Sequence, residues 1–180
     1  MRKIVAFLFL LTTVSFAGAD THLFKFGGED FTEEFEVKSR APNAQIEFGL
    51  PNEKLPAWTK LVTFHFFATS GNDAKRAAAT LANLIRERHK GTKYAVITNQ
   101  RTSEAIIDFL LPVPNTELME FNVFKYSPAG NELVALQFAQ RVKLGEIDAE
   151  ELSVIRQRAL KEMGNYDMAP VKAFFGKASS

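Results

Sequence analysis

Between Glu120 and Val142 the chain reads EFNVFKYSPAGNELVALQFAQRV, two alternating stretches of similar length joined by Ser127-Pro128-Ala129-Gly130. No other feature constrains the fold as tightly. Alternate residues of a strand point to opposite faces, and a turn-rich connector folds the two stretches against each other as a hairpin. With Val134, Leu136, Phe138 and Val142 on the core side of the second strand, its other side carries Ala135, Gln137, Ala139 and Arg141. On the first strand Phe121 and Val123 continue the core side, which turns Glu120, Asn122, Phe124 and Tyr126 toward Gln137 and Arg141. Neighbours on one face of paired strands interact, so the pattern predicts a binding patch of Glu120, Asn122, Tyr126, Gln137 and Arg141 with aromatic walls. The plainer alternative is a structural polar network, or the watered side of an antiparallel sheet.

A ribbon with one apolar side needs a cover, and two helical patterns supply it. Thr69-Ser70-Gly71-Asn72-Asp73 offers caps before Ala74, Ala77, Ala78, Leu81, Leu84 and Ile85, which recur at helical spacing. Gly91 is the expected stop, with Arg86, Arg88, His89 and Lys90 near the negative end of the dipole. A second helix begins within Leu144 to Glu151. Asp148 and Glu151 have capping-box spacing, Ile147 and Leu152 fit a hydrophobic staple, and Gly164 is the expected stop. Two or three short strands are expected between His22 and Phe48, then a loop from Gly49 to Pro56, then Trp58 at the entrance of a strand over Leu61 to Phe67. Further strands are expected over Lys93 to Thr98 and Glu104 to Leu111. The fold class is α+β, a largely antiparallel sheet with two main helices packed on it as an α/β/α sandwich.

The amino terminus sets the expected compartment. Arg2 and Lys3 precede an apolar run from Ile4 to Val14 that is short for a bilayer span, and Ala17-Gly18-Ala19 has the small-x-small form that signal peptidase reads. Residues 1–19 are therefore expected to be a signal peptide and residues 20–180 one globular domain, periplasmic or secreted in a bacterium, with no stable membrane span after cleavage. The chain has no cysteine, so there is no disulfide framework or thiol chemistry. Without Arg2 and Lys3 the 22 basic residues become 20 against 21 acidic ones, and that neutrality argues against a nucleic-acid partner. The 17 phenylalanines point to a thick aromatic core.

Residues with catalytic potential are few. His65, in LVTFHFF, shares its side of the strand with Leu61, Thr63 and Phe67, and no second imidazole or carboxylate follows at metal-ligand spacing. Packing as a hydrogen-bonded, half-buried histidine is its expected role. Asp108, between Ile107 and Phe109, needs a cation such as Arg141 if buried. A hydrolase would require Asp108, Glu120 or His65 to converge in one cleft. No nucleophile elbow, phosphate loop or His-Glu-x-x-His motif occurs, and no cofactor or metal is expected.

The order of a Trp-containing strand (AWTKLVTFHFF), a long helix (NDAKRAAATLANLIRERHKG), strands including EAIIDFLL, the hairpin and a terminal helix resembles small exported proteins of the Mog1/PsbP-like class, DcrB-like bacterial proteins among them. The Trp-Thr-x-Leu-x-Thr stretch at Trp58, Thr59, Leu61 and Thr63 is also similar to one in secreted bacterial proteins of undefined role. The resemblance implies an α/β/α sandwich used for binding or assembly, and it transfers no site residue. The expected function is thus non-enzymatic: an accessory protein of the cell envelope contacting an envelope protein or a small polar ligand. An immunity-type inhibitor of a toxin is the rival binding role.

Overall fold

The computed structural model describes residues 24–40, 43–143 and 145–176. The expected signal peptide and the positions His22, Leu23, Ala41, Pro42 and Leu144 lie outside them. Nine strands and three helices follow in the order β1 (Phe24–Phe26), β2 (Glu29–Phe31), β3 (Glu33–Arg40), β4 (Asn43–Gly49), β5 (Lys60–Phe67), α1 (Ala74–Arg88), β6 (Tyr94–Asn99), β7 (Glu104–Pro112), β8 (Leu118–Ala129), β9 (Glu132–Lys143), α2 (Ala149–Asn165) and α3 (Ala169–Gly176). Strands β3 to β9 form one antiparallel sheet in the order β3-β4-β5-β9-β8-β7-β6, while β1 and β2 form a separate ribbon. The protein is α+β, with the sheet between two helical layers.

The strand phases follow the sequence pattern. Val123 pairs with Phe138 and Asn122 with Ala139, which sends alternate side chains to the faces expected of the hairpin. One face meets α2, α3 and the ribbon: Phe48, Phe64, Phe121, Leu136 and Phe138 pack against Ala159, Met163, Val171, Phe175 and the three ribbon phenylalanines. The other face meets α1 through Ala78, Ala82 and Ile85, which lie on Ile107, Phe109 and Tyr126. Small side chains let that helix approach the sheet closely.

Several boundaries differ from the sequence reading. Four strands, not two or three, precede residue 50, because Gly27 and Gly28 both adopt positive φ and close a two-residue turn that makes β1 and β2 a ribbon of their own. Strand β8 runs on through Pro128, which was expected in the connector. The β7 partners of β8 end at Tyr126, so the proline's missing donor falls beyond that ladder. Helix α1 starts where Asp73 accepts the Arg76 amide at 2.9 Å, and α2 starts on the expected capping box at Asp148 and Glu151.

Helix α2 does not stop at Gly164 but continues through Asn165. Its end is closed from outside, since Lys125 Nζ donates to the carbonyls of Gly164 at 3.3 Å and Tyr166 at 2.8 Å. A third helix, α3, was not anticipated. Asp167 Oδ1 accepts the Ala169 amide at 2.9 Å near its start, and Val171 and Phe175 anchor it in the core.

Candidate functional site

Four of the five residues proposed from the hairpin pattern are joined by side-chain contacts on the α1 face. Arg141 Nε lies 3.6 Å from Glu120 Oε2, Asn122 Nδ2 donates to Glu120 Oε1 at 3.1 Å, and Gln137 Nε2 donates to Asn122 Oδ1 at 2.8 Å. The chain ends on His65, whose Nε2 is 2.9 Å from Gln137 Oε1. Its direction follows from one fact: a carboxylate only accepts. Glu120 therefore fixes the Asn122 amide as donor, which leaves Asn122 Oδ1 to accept from Gln137 and Gln137 Oε1 to accept from the His65 Nε2–H. Three links away, an acceptor on Glu120 sets the tautomer of a histidine. Nδ1 keeps its lone pair and, among the described residues, has no hydrogen-bond partner.

The ring of His65 is half-buried, stacked on Phe67 at 5.8 Å and on Phe124 at 5.6 Å between centroids. Removal from water disfavours the imidazolium, and the pKa is pushed down to about 4, the hydrogen bond to Gln137 opposing the shift only in part. At neutral pH the ring is uncharged. It is an acceptor at the rim of an aromatic strip, in keeping with the packing role expected of it.

At the other end the network is roofed. Arg141 Nη1 donates to the Pro56 carbonyl at 2.7 Å, and the guanidinium sits 3.8 Å from the centroid of Trp58. Trp58 is itself buried with Leu61 and Ala139, and Phe35 packs beside it. The ring of Phe35 also occupies the space where any side chain at position 49 would project, so a side chain there would force the ring to move. The loop after β4 thus reaches back over the sheet, and Trp58 serves as a lid on Arg141.

Two residues of the patch sit differently from the expected binding surface. Asn122 is only 3% exposed and belongs to an interior network, the plainer alternative, in which Arg141 Nε is buried without a hydrogen bond. Tyr126 shares the face but not the network. It is buried against Phe67, Phe124 and α1, and burial raises its hydroxyl pKa above the ordinary value.

Asp108 is buried but does not meet Arg141. It projects to the α2 face, where Arg156 Nε and Nη2 grip both carboxylate oxygens, the latter at 3.0 Å. Strand alternation forces this: Ile107 and Phe109 point toward α1, so Asp108 points away from it. Asp108 therefore lies across the sheet from Glu120 and His65, and the three do not converge in one cleft.

The sequence reading passed over Lys125, 4% exposed in the phase of Phe121 and Val123. Besides closing α2, it lies 3.3 Å from Glu104, which also accepts from Ser127 at 3.2 Å. A lysine in the core phase of a strand was the available signal. Among the described residues, no group of three or more His, Cys, Asp or Glu side chains is arranged to hold a metal, and no helix is long and apolar enough to cross a membrane.

The geometry defines a three-layer α+β protein whose α1 face holds a connected polar network ending at a neutral, stacked histidine. A protein-family model matches residues 21–168, and the chain belongs to that family. Neither the curated proteins nor the solved structures yielded a match.

Proposed function

We propose that the protein is an exported, non-enzymatic binding or accessory protein of the bacterial cell envelope, the role implied by the leader-like terminus and the Mog1/PsbP-like resemblance. Its contact surface is the part of the α1 face left half-exposed between α1 and Trp58, where His65, Phe67, Phe124 and Gln137 meet. The observation that carries this reading is the unengaged Nδ1 of a neutral imidazole, set among aromatic rings and held in one tautomer by its bond to Gln137. Such a surface suits a partner group offering an N–H or O–H donor beside a flat apolar patch. Asn122 and Arg141 act here as the support that orients His65 and Gln137.

The test is affinity capture from an envelope fraction by wild type and by His65→Phe, with melting temperature measured in parallel. The phenyl ring keeps the stacking and removes the acceptor. Loss of the captured partner with a melting temperature equal to or above wild type supports the reading, whereas undiminished capture by His65→Phe overturns it.

A further inference from the structure

The two edges of the main sheet are built differently. Strand β3 reads EEFEVKSR, a charge-rich sequence, and has a bulge between Glu34 and Glu36; charge and bulges are the usual defences of an edge. Strand β6, YAVITN, has no charged residue, and among the described residues no strand pairs with its outer side. Tyr94, Val96 and Ile97 are 37%, 39% and 51% exposed. An apolar, uncharged edge with a free row of backbone donors and acceptors is a template for another strand.

The charge around that edge is one-sided. Residues 74–103 hold seven lysines and arginines and a single acid, Glu87. All seven cations are exposed, and among the described residues none of them is in an ion pair. Helix α1, which packs on β6, β7 and β8, carries Arg86 and Arg88; Lys90 and Lys93 lead into β6 and Arg101 follows it. The near-neutral balance of the whole chain conceals this segregation.

We propose that β6 is the docking edge for an acidic, extended segment of a partner protein, which adds as a further antiparallel strand while the cations of α1 and of the loops flanking β6 neutralise its carboxylates. A second copy is the poorer occupant. Pairing β6 with β6 would set two cationic α1 helices on one face, separated by roughly three strand spacings of about 4.8 Å. An anionic lipid or a nucleic acid would meet the charges but leave the strand's backbone donors and acceptors unmatched.

The decisive measurement is fluorescence anisotropy of the mature chain with a labelled peptide of about ten residues that alternates Glu and Thr, a length that covers the edge strand. A Lys/Thr peptide of equal length is the control. The Glu/Thr peptide binds, the Lys/Thr peptide does not, and affinity falls by about tenfold between roughly 50 and 300 mM salt. Ile97→Glu abolishes binding and Ile97→Lys retains it, both with unchanged melting temperature because the side chain is exposed. Arg86→Glu with Arg88→Glu weakens binding while leaving β6 intact. Equal binding of the two peptides, no binding of either, or equal affinity of Ile97→Glu and wild type overturns the proposal. So does sedimentation with phosphatidylglycerol vesicles in place of peptide binding. A concentration-dependent dimer that Ile97→Glu dissolves would assign the edge to a second copy instead.

Discussion

The two faces of the sheet solve the same problem in different ways. On the α2 face the cover is a layer of aromatic and aliphatic side chains, and each buried ion there has its own partner: Asp108 is gripped by Arg156, and Lys125 by Glu104 and two helix-terminal carbonyls. On the α1 face the helix covers only one part, and Arg141, Asn122, Gln137 and His65 are strung into one network that converges on Glu120, with Arg141 on one side of it and the chain from His65 on the other. The lesson is that a fully covered face tolerates charge only pair by pair, because an unmatched buried ion is costly. A face with an open margin can run a network out to it and leave its last acceptor available.

Substitutions in the two faces test this contrast. The largest loss is expected for Phe121→Ala, which empties a 2%-exposed position on the α2 face and should cost about 4 kcal/mol in urea denaturation. A loss below about 1 kcal/mol would show that the dense face can collapse around a cavity. Trp58→Ala removes the lid from Arg141 and should cost about 3 kcal/mol, with Arg141 gaining solvent access. Were Trp58→Ala as stable as wild type, the lid would contribute nothing to the α1 face. Lys125→Met should follow, at about 2 kcal/mol, since Glu104 and the end of α2 lose their common cation. A more stable Lys125→Met would mean that apolar packing alone satisfies that face.

The fourth effect depends on pH. The folded-state pKa of His65 lies near 4, below the unfolded value of 6.5, so between these values the unfolded chain binds more protons than the folded one. Its contribution to stability is present above the unfolded pKa and is lost as pH falls from about 6.5 toward 4, a change of up to about 3 kcal/mol. Denaturation across that window should show this acid sensitivity in wild type and a shallower slope in His65→Phe. Identical slopes would place the destabilising protonation elsewhere. The smallest change is expected at the exposed edge: Ile97→Glu should alter stability by less than about 0.5 kcal/mol, separating its role in docking from any role in folding.

Much of the α1-face network was legible because it depends on strand phase. Once Phe121, Val123, Leu136 and Phe138 are assigned to one side, Glu120, Asn122, Gln137 and Arg141 must share the other, and the hairpin brings them together. The fate of that patch was not legible. Asn122 is buried because Trp58 and α1 close over its neighbourhood, and a residue's own strand carries no information about what settles above it. Tyr126 was placed on the correct face and assigned to the wrong community, since α1 lies over its end of β8. Asp108 meets Arg156 and not Arg141 for a related reason: strand alternation puts the carboxylate on the side of the sheet opposite Arg141.

What the chain determined unaided are features settled within a few residues. These include the capping of α1 at Asp73 and of α2 at Asp148 and Glu151, and the two-faced β8–β9 hairpin. Hydrogen bonds over three or four positions and side chains alternating along a strand are local properties, insensitive to the rest of the molecule. Tertiary structure alone decided that Arg156 would meet Asp108 across 48 residues, that Lys125 would close α2 across some 40, and that an uncharged β6 would end the sheet beside a cationic helix. Those outcomes depend on where whole helices dock, and docking is governed by the summed fit of two apolar faces, which no short stretch of sequence records.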